Sequence, residues 1–73
     1  MTVLRAVGNA SRQATDRWAR LAAIAHERAA EQSARALAAS SVEVAGAHLQ
    51  QEAYLVKLAE VYEGRARDGA AAA

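Results

Sequence analysis

Cysteine, proline and phenylalanine are absent from this chain of 73 residues. Without cysteine it can form neither a disulfide staple nor a thiolate metal site. The aromatic residues are Trp18, Tyr54 and Tyr62 alone. β-Branched residues are few, which argues against a sheet. No apolar run approaches the ~20 residues of a membrane span. The first residues also lack the uninterrupted apolar core of a leader, because Arg5, Asn9, Arg12 and Gln13 break them up. The cytoplasm is therefore the expected compartment, with signal-independent secretion as the alternative, since it leaves no such mark. Neither a Gly-rich phosphate loop nor a nucleophile–base set is visible, and no cofactor is called for. A chain this small offers no deep substrate cleft, so an enzyme is not expected.

What the chain has is alanine. Of 39 apolar residues 22 are Ala, leaving 17 larger ones to build a core. Alanine favours helix more than any other residue, yet it buries little apolar surface. A domain of this size is marginal alone and usually needs staples or partners. The fold class expected is all-α: an antiparallel two-helix hairpin that completes a helical bundle by oligomerisation.

The corner is placed by pattern, since neither proline nor glycine marks it. Ser40 precedes Glu43 by three residues, the spacing of a capping box. On a helical wheel Val7, Ala14, Trp18, Ala22, Ala25, Ala29 and Ala36 form one narrow stripe. Beyond Ser41 the apolar residues Val44, Leu55, Leu58, Ala59 and Tyr62 centre about a third of a turn away. Two helices can turn both stripes inward where one continuous helix cannot. The expected organisation is a hairpin over 1–67, with helix 1 at about 2–39 and helix 2 at about 41–67, followed by a disordered Ala-rich tail at 68–73. Gly8-Asn9 is a weak point in the first arm. The first stripe repeats near 3.6 residues, which predicts a nearly straight arm.

A turn centred on Ser40 makes facing residue numbers sum to about 79. Trp18 then meets Val61, Leu21 meets Leu58, and Ala25 meets Tyr54. Trp18, Leu21, Tyr54, Leu55, Leu58 and Val61 are thus expected to hold the arms together. Helix 2 has the broader apolar face, with Leu49 and Val56 on one flank and Tyr54 and Val61 on the other. Such breadth points to more than one neighbour. Leu49 and Val56, with the knob Val3, Leu4 and Val7 near the start, are the surface expected for a partner. That partner is a second copy or a larger protein.

Charge divides by arm. Residues 1–39 carry six Arg against Asp16, Glu27 and Glu31, a net +3; residues 40–73 carry three basic residues against five acidic ones, a net −2. Opposite arms attract, which steers register and partner choice more than it adds energy. His26, His48 and Glu52 fall near one another in the expected hairpin. They make no four-ligand set, so polar packing is expected there and metal is not. A His–Glu pair there would make pairing respond to pH. The Arg row of helix 1 is interrupted by Asp16, Glu27 and Glu31, so it lacks the clean basic face of a nucleic-acid binder.

The plan is similar to that of several small helical-hairpin families: the Rop-type plasmid dimers, the secreted Trp-x-Gly hairpins, and the needle, rod and co-chaperone proteins of type III secretion. The turn reads Ser40-Ser41-Val42 where the secreted hairpins have Trp-x-Gly. Their tyrosine-x-x-x-acid tag is missing too, since Tyr54 leads to Leu58 and Tyr62 to Ala66. Ser41-Val42-Glu43-Val44-Ala45 and Gln51-Glu52-Ala53-Tyr54 resemble the start and middle of the terminal helix of flagellar axial proteins, over about a third of the chain. The function expected is a non-catalytic protein-interaction module: an adaptor, scaffold or assembly subunit. The resemblances imply two alternatives, a secreted or axial subunit or co-chaperone of a bacterial secretion system or filament, and a Rop-like nucleic-acid-binding dimer.

Overall fold

The computed structural model describes residues 2–72, with side chains for 12–71. Two helices, α1 (Thr2–Ala38) and α2 (Val42–Ala72), pack against each other, and the described residues contain no strand. The chain makes a rod of 61 × 14 × 10 Å. A helix of 37 residues is about 55 Å long at ~1.5 Å per residue, so α1 nearly spans it. None of the described helices is long and apolar enough to cross a membrane. Val3, Leu4 and Val7 lie in α1, but their side chains fall outside the described residues.

The corner is the three residues Ala39 to Ser41. The amide of Ala39 donates to the Ala36 carbonyl at 3.3 Å, tightening the last turn of α1. Ser41, not Ser40, caps α2: its Oγ accepts from the Val44 amide at 3.2 Å, and its carbonyl takes the first helical bond from Ala45. Glu43 then stands at the second helical position rather than the third. It suits the positive end of the helix dipole but is out of register for the reciprocal half of a capping box. Ser41→Ala should therefore cost about 1 kcal/mol in a denaturant melt, and Ser40→Ala no more than a few tenths. Equal effects at the two serines would show that the cap is misassigned.

The seam between the helices runs through residues 15, 18, 22, 25, 29, 32 and 36 of α1, then Ala39 of the corner, and 45, 48, 52, 55, 59, 62, 66 and 69 of α2, all buried or half-buried. Both sets advance by alternating steps of three and four, a seven-residue repeat. The expected 3.6-residue stripe is thereby corrected. Ala14 is exposed and the half-buried residue there is Thr15. A repeat of 3.5 residues keeps a seam closed only if the helices wind round each other with a left hand.

Two contacts set the register. Trp18 stacks on Tyr62 with ring centroids 5.7 Å apart, and His48 Nδ1 donates to Gln32 Oε1 at 2.8 Å. Each pair sums to 80. The expected sum of 79 placed Val61 on Trp18 and Tyr54 on Ala25; one residue's shift turns both outward, and they are 50% and 64% exposed. The expected end of α2 at 67 is also corrected, because the helix continues to Ala72 through what had been read as a disordered tail. Alanine is the strongest helix former, and Gly69 lies close against Thr15: a Cβ there would stand 2.7 Å from Thr15 Oγ1. That hydroxyl is buried and has no hydrogen-bond partner.

Candidate functional site

The seam is an alanine seam. Ala22, Ala25, Ala29 and Ala59 are the buried apolar residues among those described, and no large side chain there is fully buried. Small residues let two backbones approach closely, but they remove little apolar area from water. The larger seam residues sit in layers between them. Near the open end Trp18 meets both Tyr62 and Arg65, whose guanidinium carbon lies over the indole, 4.9 Å from its centroid. Nearer the corner is the polar layer of Gln32 and His48. Because the amide oxygen accepts, Nδ1 of His48 carries the proton. Such a layer holds one register at some cost in stability.

The remaining apolar side chains are left outside. Helical geometry puts them on the two broad faces of the rod, one each side of the plane containing the helix axes. The first face carries Ile24 from α1 and Tyr54, Val61 and Val44 from α2, all exposed, around the half-buried Leu21 and Leu58. The second carries Leu49, Val56, Val42 and Leu37, all exposed, among the exposed alanines at 19, 23, 30 and 53. His26 and Glu63 also meet on the second face, Nε2 to Oε1 at 3.2 Å, with both side chains about half exposed. That exposed contact adds little to stability, and it joins flanks of the two helices that share a side.

No family model, curated protein or solved structure matches this chain. The reading of the surfaces therefore rests on their own chemistry.

Of the residues expected to hold the arms, Trp18 and Leu55 lie in the seam, and Leu21 and Leu58 flank it on the first face. Tyr54 and Val61 do not join them and lie outside. Leu49 and Val56 are exposed on the second face. Ile24, Gln32 and the place of Arg65 on the indole were not foreseen from the sequence, whereas Tyr62 was placed on the apolar side of helix 2 but not against Trp18. A wheel drawn on a seven-residue repeat through Ala22 and Ala29 places Ile24 beside Leu21 on one flank. The stacking at Tyr62 follows from the register alone. His26, His48 and Glu52 are not drawn together: His26 turns to Glu63 and His48 to Gln32. Among the described residues no group of three or more His, Asp or Glu could hold a metal ion. A shallow, open depression of about 370 Å³ lies on α2, lined by Glu52, Ala53, Val56, Lys57 and Glu60. It is a dent in one helix's surface, suited to side chains of another chain rather than to an enclosed ligand.

Charge on the faces is unequal and divides by helix. On the first face α1 presents Arg17, Arg28 and Arg35 against Glu31, a net +2, while Arg65 and Asp68 on α2 cancel. On the second face α2 presents Glu60 and Glu63, with the half-buried Glu52 reaching out from the seam, against Lys57 and Arg67, a net −1; Glu52, Lys57 and Glu60 line one depression there, while Arg12 and Asp16 on α1 cancel.

Proposed function

We propose that this chain is a non-catalytic helical-hairpin interaction module, an adaptor, scaffold or assembly subunit whose apolar faces are completed by protein. One observation carries the reading: the buried side chains described are alanines, while Ile24, Leu49, Tyr54, Val56 and Val61 stand exposed on the broad faces. A stable monomer of this size would place its largest apolar groups between its helices, since each is worth roughly 1.5–3 kcal/mol when fully buried. Here only alanines are fully closed in, and apart from Trp18, Leu55 and Tyr62 in the seam most of the larger apolar side chains are left at or on the broad faces. Contiguous apolar surface of this kind marks an interaction site.

Thermal unfolding measured across protein concentration tests the reading. The isolated chain should melt broadly when dilute and gain stability when concentrated or when its partner is added, because binding to the folded form shifts the equilibrium. A folded monomer with a sharp transition, unchanged over a hundredfold range of concentration, would overturn it.

A further inference from the structure

We infer that the partner is a second copy of this chain, stacked with its second face on the first face of its neighbour and turned end for end, so that α1 of one copy lies along α2 of the next. This rests on the interaction-module reading and names its occupant.

The argument is charge complementarity. The excess positive charge lies on the α1 half of the first face, and the excess negative charge lies on the α2 half of the second. Pairing the first face with itself sets the +2 half against its own copy or against a neutral half. Pairing the second face with itself treats its −1 half the same way. Stacking unlike faces by plain translation sets α1 on α1, again +2 against a neutral half. Only unlike faces with a half-turn about the face normal bring +2 onto −1.

The half-turn makes α1 parallel to the neighbour's α2, so matching pairs should share one spacing. They do: Arg17 and Arg28 are eleven residues apart, and so are Glu52 and Glu63. With Arg17 at the neighbour's Glu52 and Arg28 at its Glu63, residue n of α1 meets residue n + 35 of α2. Given the internal register of 80, that offset superposes the two hairpins near residue 22 or 23, close to the middle of the paired part of α1. In this register Tyr54 and Leu58 settle over Ala19 and Ala23 of the neighbour, large side chains against small ones. The footprint fits as well. A face of 61 × 14 Å offers about 850 Å², against the roughly 800 Å² per partner of a standard stable interface. Because each copy still presents one free face of each kind, the contact repeats and does not close, giving an open stack.

Sedimentation of charge-reversal variants tests this. Arg28→Glu and Glu63→Arg are exposed substitutions outside the seam, and circular dichroism checks that each variant remains helical. Wild-type association should weaken as salt is raised. Each single reversal should weaken it by about tenfold, and the chain carrying both should return to near the wild-type value. Pairing of the first face with itself gives the opposite sign, since Arg28→Glu would then tighten association and Glu63→Arg would leave it unchanged. That result, or a lack of rescue, overturns the stacking and leaves the interaction-module reading standing. A chain that stays monomeric and melts broadly does the same, pointing to a different protein partner. A sharply melting monomer overturns both.

Discussion

Ala59→Leu is expected to abolish the packed hairpin or come close to it. Ala59 is fully buried, and the seam places it in the layer of Ala22, itself only 4% exposed. The rod is 14 Å wide across its Cα atoms. Subtracting two helix radii of ~2.3 Å leaves about 9 Å between axes, with the methyl groups of two alanines filling the space. A leucine there must push the helices apart or adopt a strained rotamer, a cost of about 1–3 kcal/mol. A single core in a chain this short supplies no more than ~3–5 kcal/mol, so the loss is most of the total. The helices themselves are rich in alanine and will keep part of their helicity when separated. The decisive readout is therefore tertiary: Trp18 emission and near-ultraviolet dichroism should collapse while far-ultraviolet dichroism falls less. Val61→Leu adds bulk on an outer face and should stay within ~0.5 kcal/mol of wild type in the dilute chain. If the two variants melt alike, the seam at Ala59 is not the closely packed contact described.

Much of this architecture is legible in the residues. Alanine content, the lack of proline and the jump in apolar direction near Ser40 place two helices and a corner. The stripe through Trp18, Ala22, Ala25 and Ala29 is the actual seam of α1. What misled was the assumption that the largest apolar groups of α2 face inward. On that assumption Tyr54 and Val61 belong inside; on an alanine seam they need not, because close backbone approach leaves them no room. The error is coupled to the register. Ser40 and Ser41 are adjacent and both able to cap, and choosing the first moves every facing pair by one residue. A one-residue shift rotates the assignment by about 100°, enough to exchange Val61 for Tyr62 against Trp18. The broad apolar face of α2 was visible, with both flanks correctly separated. Its resolution into two faces of unlike charge needs the repeat of seven, which a 3.6-residue wheel blurs over thirty residues. The continuation of α2 past Arg67 was not legible for a different reason. Glycine and a run of alanine read as an unravelled end unless something packs on them, and the contact of Gly69 with Thr15 joins residues 54 positions apart.

The polar layer bears on the same point. Gln32 falls on no apolar stripe drawn from sequence, and His48 reads there as a polar packing position beside His26 and Glu52, not opposite Gln32. The Gln32–His48 bond at 2.8 Å becomes meaningful beside the Trp18–Tyr62 stack, since the two contacts are fourteen residues apart on both helices. An alanine seam alone is permissive: methyl layers repeated every seven residues would tolerate a slip of one repeat. A slip would strand the Gln32 amide and the His48 ring against apolar neighbours, each unpaired polar group costing about 1–3 kcal/mol. Selectivity of register thus comes from two unlike layers, one aromatic and one polar, with alanine between them.

The aromatic layer is the more costly of the two to remove. Trp18→Ala takes away an indole that stacks on Tyr62 at a 30° tilt and also carries the Arg65 guanidinium. A fully buried tryptophan costs about 3–5 kcal/mol when truncated. Trp18 is half-buried, so about 2–3 kcal/mol is expected, still a large share of what holds the hairpin. The loss should be local in its first effect. Beyond this layer, toward the open end, the described contact is that of Gly69 with Thr15, whose hydroxyl already lacks a partner. Toward the corner the alanine layers and the Gln32–His48 bond are untouched. Amide hydrogen exchange should accordingly show protection falling over residues 12–22 and 59–71 while residues 29–52 hold theirs. Trp18→Phe keeps an aromatic surface for Tyr62 and Arg65 and should recover more than half of the stability. Loss of protection spread evenly along both helices would mean that the hairpin opens as one unit. An unchanged melt would mean that alanine alone closes it.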